Sequence, residues 1–285
     1  MKELATGAMK PIVVRKVNAH LSAPFADVVS VEEPLEIRID YRDGTERIQK
    51  SISVTMRTPG NDLDLALGFL FTEGIIASYR DIKSLRHVGQ CARQKKNVVQ
   101  VDFVDDAIPR LHQSERNFYT TSSCGVCGKS SIDSIKTVSP FQEQEKPPLK
   151  LHKEILCQLR ENLRTAQAGF AATGGIHASG LFTPAGELVC LREDVGRHNA
   201  LDKLIGDALT NNTLPLNRHL LLLSGRASFE LIQKAAMAGI TIVIAIGAPS
   251  SLAVELAEEL DITLIGFLKG DSFNIYHQSE TVLLN

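Results

Sequence analysis

Three apolar runs near the carboxyl terminus restrict the fold more than any other part of the chain. Leu220–Leu223, residues 240–246 and residues 262–267 are short and almost free of charge. Strands of this kind are buried on both faces, as in a parallel sheet covered by helices on each side. Helical stretches at 228–238 and 250–260 separate them, the second opening on the cap candidates Ser250 and Ser251. Strand and helix alternating through short connections imply parallel strands with right-handed crossovers.

That topology brings three loops to the carboxyl edge of one sheet: Ser224-Gly225-Arg226, Gly247-Ala248-Pro249-Ser250 and Lys269-Gly270-Asp271-Ser272. Open α/β sheets bind their ligands at this edge. Two of the loops open helices, whose amino-terminal amides favour anions. Arg226 and Lys269 add positive charge, so a phosphate-bearing ligand is expected, although the chain has no P-loop or G-x-G-x-x-G pattern.

Upstream, residues 150–167 form an amphipathic helix with Leu151, Ile155, Leu159 and Leu163 along one stripe. Residues 170–182 and 187–191 read as two strands joined by a turn at Pro184-Ala185-Gly186, and residues 197–209 as a helix. Residues 34–41 alternate apolar and polar, Asp43-Gly44 turns the chain, and residues 48–56 return as a second strand. Residues 63–76 read as a helix capped by Asn61 or Asp62. Gly68 and Gly74 each cost that helix about 1 kcal/mol against alanine, so they permit close packing or mark an end. Residues 98–104 form another strand.

The chain is therefore α/β, in four parts. A loose arm covers 1–30, a small α/β domain 31–104, a linker 105–149, and a three-layer α/β ligand-binding domain 150–285.

The linker carries Cys124-Gly125-Val126-Cys127-Gly128-Lys129, preceded by four Ser/Thr residues. Gly125 and Gly128 tolerate positive φ and leave both sulfurs accessible. A free thiol has a pKa of about 8.5, and a cation such as Lys129 raises its thiolate fraction. Three readings of the pair stand open. A structural zinc site needs four ligands, usually two close pairs, whereas Cys91, Cys157 and Cys190 are scattered. A thioredoxin-like redox pair sits at a helix start among apolar residues, whereas these flanks are Ser, Thr and Gly. A nucleophilic cysteine that receives and passes on sulfur suits an exposed loop.

Composition excludes several classes. With a net charge of −2 over 285 residues, bulk electrostatics offer nothing to nucleic acid or an anionic membrane. No tryptophan and 5% aromatic residues weaken a base-stacking platform. No apolar run reaches the ~20 residues of a membrane span, and the first ten residues lack the apolar core of a signal peptide. An odd cysteine count with one close pair is no secreted disulfide framework, so a reducing cytoplasm is expected.

Thr173-Gly174-Gly175-Ile176-His177 places a histidine in strand context, where a structural role competes with a functional one. Residues 193–199 pack Glu193, Asp194, Arg197 and His198 between a strand and a helix. Capping explains some of that density, and a site role is as good an account of the rest. Cys157 and Cys190 read as core residues, Cys91 as a surface thiol.

Six segments, in order, resemble the formate dehydrogenase accessory sulfurtransferases, the FdhD/NarQ family: residues 66–76, 124–128, 173–177, 193–203, 224–228 and 266–270. The resemblance implies a cytoplasmic homodimer whose carboxyl-terminal part is similar to the cytidine-deaminase fold. It implies a sulfur carrier that takes persulfide sulfur from a cysteine desulfurase. The sulfur passes to the molybdenum (or tungsten) bis-guanine-dinucleotide cofactor, bound as substrate, which formate dehydrogenase needs in sulfurated form. The family's persulfide cysteine maps to Cys124, with Cys127 in support. Its cofactor-binding stretch maps to Phe267, Leu268, Lys269, Gly270, Asp271 and Ser272, where Lys269 and Ser272 stand at positions that often carry arginine. Ser224 and Arg226 join them as expected binding residues.

Two other functions remain in view. A cofactor-binding chaperone would use the cysteines only for grip. A zinc nucleotide deaminase needs an H-x-E or C-x-E motif before P-C-x-x-C, but residue 123 is Ser and the cysteines precede the candidate histidines.

Overall fold

The computed structural model describes residues 7–19, 22–89, 91, 96–111, 139–141 and 146–285. The cysteine loop, Cys124 and Cys127 included, lies outside the described residues.

The centre of the carboxyl-terminal half is a six-stranded sheet. Its three parallel strands are β10 (Leu220–Leu223), β11 (Ile242–Ala245) and β12 (Thr263–Lys269), as the apolar runs require. Antiparallel strands flank them: β8 (His177–Phe182) and β9 (Leu188–Asp194) on one side, β13 (Ser272–His277) on the other. Both faces are buried. Leu221, Leu223, Val243 and Ala245 enter one hydrophobic cluster, and Leu220, Leu222, Ile242 and Ile244 enter a second. The second is closed by helix α2 (Lys153–Ala166) through Leu156, Leu159 and Leu163.

The amino-terminal sheet has the order β4–β3–β6–β5, built from β3 (Glu33–Asp43), β4 (Glu46–Arg57), β5 (Ile82–His87) and β6 (Val98–Phe103). Helix α1 (Asp62–Thr72) joins the two halves. It crosses α4 (Arg197–Thr210), and the hydrophobic cluster runs from Leu35 and Ile37 through both helices to Leu264. The crossing is set by two glycines. A Cβ at Gly68 would overlap the Asp202 carbonyl oxygen, and a Cβ at Gly206 would overlap that of Asp64. Gly74, with φ 72°, ends the turn after α1. Both expectations for these α1 glycines hold, one as a close approach and one as an end.

Several boundaries differ from the sequence reading. Residues 7–30 contain an antiparallel ribbon, β1 (Met9–Val17) with β2 (Ser22–Ser30), where a loose arm was expected. Its pattern is weak because most of its side chains are exposed, so no apolar face is imposed. Residues 170–176 are not strand. Ala168–Thr173 is a short helix, α3, and β8 begins only at His177. The Glu193 carboxylate decides this by accepting from the Gly169 and Phe170 amides, 2.9 Å each, at the open amino end of α3. The helix expected from residue 150 starts at Lys153, because Leu149–Leu151 is a strand, β7, paired in parallel with β14 (Val282–Leu284). Asn61 stands at the start of α1 with φ 55° and makes no side-chain cap bond. Helices α5 (Phe229–Met237) and α6 (Ser251–Glu259) fill the remaining crossovers.

Candidate functional site

Because β8 runs antiparallel to β10, its first residue, His177, lies at the edge where β10 ends. His177 pairs with Asp194, the last residue of β9, so the start of α4 reaches the same edge. The loops after β10 and β11 meet there and are zipped together. The Gly247 amide donates to Gly225 O (2.9 Å), the Ala227 amide to Ala248 O (3.2 Å) and the Ser250 amide to Ala227 O (3.0 Å). Ser224 ties this pair to β8: its Oγ accepts from the Ala178 amide at 2.8 Å, and its own amide donates to Ala178 O at 3.0 Å.

Three helices begin at this edge, with Gly196, Ser228 and Ser250 as their caps. Ser250 Oγ accepts from the Ala253 amide, while neither Gly196 nor Ser228 makes a side-chain cap bond. The amino ends of α4 and α5 thus present amides that no cap side chain satisfies, which favours an anion.

Strand β12 continues past the end of β11. Its register with β13 shifts between Gly266 and Lys269, and Phe267 takes a left-handed conformation, φ 53°. The Phe267 amide donates to Gly247 O at 3.1 Å, and its ring is 48% exposed. Lys269, Gly270, Asp271 and Ser272 form the exposed hairpin tip, closed by Ser272 Oγ donating to Lys269 O at 3.1 Å. Leu268, expected among the binding residues, is instead fully buried in the second cluster and presents no accessible atom at the edge. A left-handed non-glycine residue costs roughly 1–2 kcal/mol, and such strain clusters at functional sites. Phe267→Gly is therefore expected to raise stability by about 1 kcal/mol, or some 2–4 °C in thermal melting. A fall would show the ring to be a packing residue instead.

The dense segment 193–203 divides into two roles. Its acids, amide and lysine face inward. Asp194 is fully buried and accepts from the Gly196 amide (2.8 Å), Asn199 Nδ2 (3.1 Å) and the Thr58 amide (3.1 Å), with Lys203 Nζ at 2.6 Å. Lys203 also donates to Thr58 O at 2.8 Å. Asp202 meets Lys234 Nζ at 3.0 Å from both carboxylate oxygens and accepts from Thr72 Oγ1 at 2.8 Å. Burial alone would discharge Lys234, but Asp202 and Glu73 more than offset it and keep the ammonium charged.

Two side chains of the segment serve the edge instead. His198 Nε2 stands 3.4 Å from Ser228 Oγ and 3.9 Å from the Glu230 carboxylate. Arg197 is half-buried, and its Nε has no hydrogen-bond partner among the described residues. His177 is half-buried beside it. Burial holds its imidazole below the ordinary value, the Arg197 charge pushes it further down, and Asp194 opposes both.

The structure thus brings Ser224, Arg226, Phe267 and Lys269 to one edge, with Arg226 and Lys269 both exposed. It adds His177 and Arg197, whose roles the sequence left open. Their motifs lie twenty residues apart, and only the β8–β9 register makes them neighbours. Cys190 is buried, as expected, with Arg192 Nη1 3.3 Å from its sulfur; Cys157 is half-buried, and Cys91 exposed.

A solved structure shares this architecture. The crystal structure of a Desulfotalea psychrophila protein assigned as a formate dehydrogenase accessory protein superposes with a TM-score of 0.68 at 21% identity, over 96% of this chain and 98% of that one. Closer relatives in sequence are named sulfur carrier protein FdhD. That of Streptomyces coelicolor is 49% identical over 262 residues, covering 90% of each chain. That of Mycobacterium tuberculosis is 43% identical, covering 94% of this chain and 96% of its own. That of Sulfolobus acidocaldarius is 38% identical, covering 96% and 98%. The FdhD/NarQ family model matches residues 30–283, and with it every strand and helix that builds the edge, so the chain belongs to the FdhD/NarQ family.

Proposed function

We propose that this chain is a cytoplasmic, homodimeric sulfur carrier acting for formate dehydrogenase. It takes sulfur from a cysteine desulfurase onto Cys124 and passes it to a molybdenum or tungsten bis-guanine-dinucleotide cofactor bound at the carboxyl edge. The observation that carries the reading is the edge itself. Two helix amino termini without side-chain caps converge with Arg226, Arg197, Lys269 and the exposed Phe267 ring, a set suited to a phosphate-bearing ligand with an aromatic base. The names of the relatives supply the sulfur chemistry.

In the first step the Cys124 thiolate attacks the terminal sulfur of the desulfurase persulfide. A new S–S bond forms on Cys124, and the desulfurase thiolate leaves. In the second step the Cys127 thiolate attacks the Cys124 sulfur, a Cys124–Cys127 disulfide forms, and the terminal sulfur leaves as hydrosulfide to the bound cofactor; a thiol reductant then restores both cysteines.

Incubation with a desulfurase and cysteine, followed by intact-mass spectrometry, tests the reading. Wild type is expected to gain one sulfur atom, and Cys124→Ser none, with loss of formate dehydrogenase activity when the variant is the sole copy in cells. Activity retained by Cys124→Ser would leave a cofactor-binding chaperone as the better account.

A further inference from the structure

Among the described residues, two positively chargeable groups of the edge have no ion pair. The His177 side chain, at the start of β8, makes no hydrogen bond to a described residue, and its Nδ1 lies 3.4 Å from where a Cβ on Gly225 would stand. Arg197, at the start of α4, keeps a buried Nε without a partner. Their charges interact. Asp194, the carboxylate that acts on His177, has its two oxygens already occupied by Lys203, Asn199 and the Thr58 and Gly196 amides. A buried guanidinium nitrogen left unsatisfied is costly, and an oxyanion that accepts from it removes that penalty.

We infer that His177 and Arg197 form an oxyanion subsite that takes a phosphate group, His177 binding as the imidazolium, so that capture of the ligand draws one proton from solution. This rests on the proposed nucleotide ligand for its source of phosphate, although free phosphate has the same chemistry. No bond is made or broken. The charged groups acting on His177 are Arg197 from α4, which disfavours its charge, and Asp194 from β9, which favours it; Gly225, from the loop after β10 that also carries the exposed Arg226, stands against the ring.

The sign follows directly. In the free protein His177 sits below its ordinary value and is neutral near pH 7. A bound phosphate dianion raises it. Proton uptake therefore occurs between the free and bound values, and affinity falls as pH rises through the bound value.

Isothermal titration of the full chain with guanosine diphosphate, and separately with inorganic phosphate, is the test. Each titration is run near pH 7 in two buffers of different ionisation enthalpy. Wild type should bind with buffer-dependent heat that shows close to one more proton taken up than in His177→Gln, where only the ligand phosphate's own ionisation contributes. Arg197→Gln should weaken binding about 10- to 100-fold, the worth of a charge-assisted hydrogen bond. His177→Gln should abolish that extra uptake and flatten the pH dependence while keeping a wild-type melting temperature; His177→Asn serves if the glutamine does not fold. Phosphate binding with the same dependence on both residues, but no gain from the guanosine, supports the subsite and counts against the nucleotide. Guanosine diphosphate bound by wild type without that extra proton uptake, or bound by Arg197→Gln with wild-type affinity, overturns the subsite and leaves the nucleotide reading standing. Failure of both ligands to bind wild type overturns both.

Discussion

Lys203→Met should destabilise the chain by about 3–5 kcal/mol, the cost of leaving a buried charge without its partner. Lys203 is 1% exposed and Asp194 fully buried, with Nζ and Oδ2 2.6 Å apart. Solvent cannot screen the orphaned carboxylate, and the three donors that remain to it carry no full charge. A domain's whole stability is about 5–15 kcal/mol, so the variant should unfold at much lower urea concentration. The double variant Lys203→Met with Asp194→Asn removes both charges and should recover part of the loss. A midpoint unchanged in the single variant would show that the pair contributes nothing. The same contacts hold Thr58 against the start of α4, so the loss should reach the edge as well as the core.

Gly68→Ala should also destabilise, and here the sign is the test. On an open helix face the change would stabilise by about 1 kcal/mol through helix propensity. At Gly68 the new methyl meets main chain, the Asp202 carbonyl, which cannot rotate aside. Helices α1 and α4 must part along their length. Overpacking of this kind costs about 1–3 kcal/mol and occasionally more, which outweighs the propensity gain. Gly206→Ala, against Asp64 O, should act alike. The double variant should cost less than the sum, since one separation relieves both contacts. A rise in the urea midpoint for either single variant would mean that the helices do not touch where the structure places them.

The apolar runs, the helical stripe of α2 and the turn glycines were readable because each is a local pattern with a local cause. Leu220–Leu223 admits no exposed face, and Leu159 and Leu163 of the expected stripe are buried on one side of a helix, joined by Leu156 rather than by Leu151, which lies in β7, or the half-buried Ile155. Ser224, Arg226 and Lys269 were placed correctly at the edge for the same reason, since parallel strands force their loops to one side. Helix α3 was misread as strand because its start is held by Glu193, more than twenty residues away in sequence. The β1–β2 ribbon gave little signal because exposed strands need no alternation.

By itself the sequence determined the parallel sheet, the edge where its loops gather and the family, since each rests on residue patterns that recur over short spans or match motif by motif. Only the tertiary structure decided the rest: which of the polar residues at 193–203 turn inward, that Gly68 and Gly206 meet opposite backbones, and that His177 stands beside Arg197. Those outcomes depend on strand register and helix crossing, which arise when distant segments exclude water together and leave each buried charge one partner within reach.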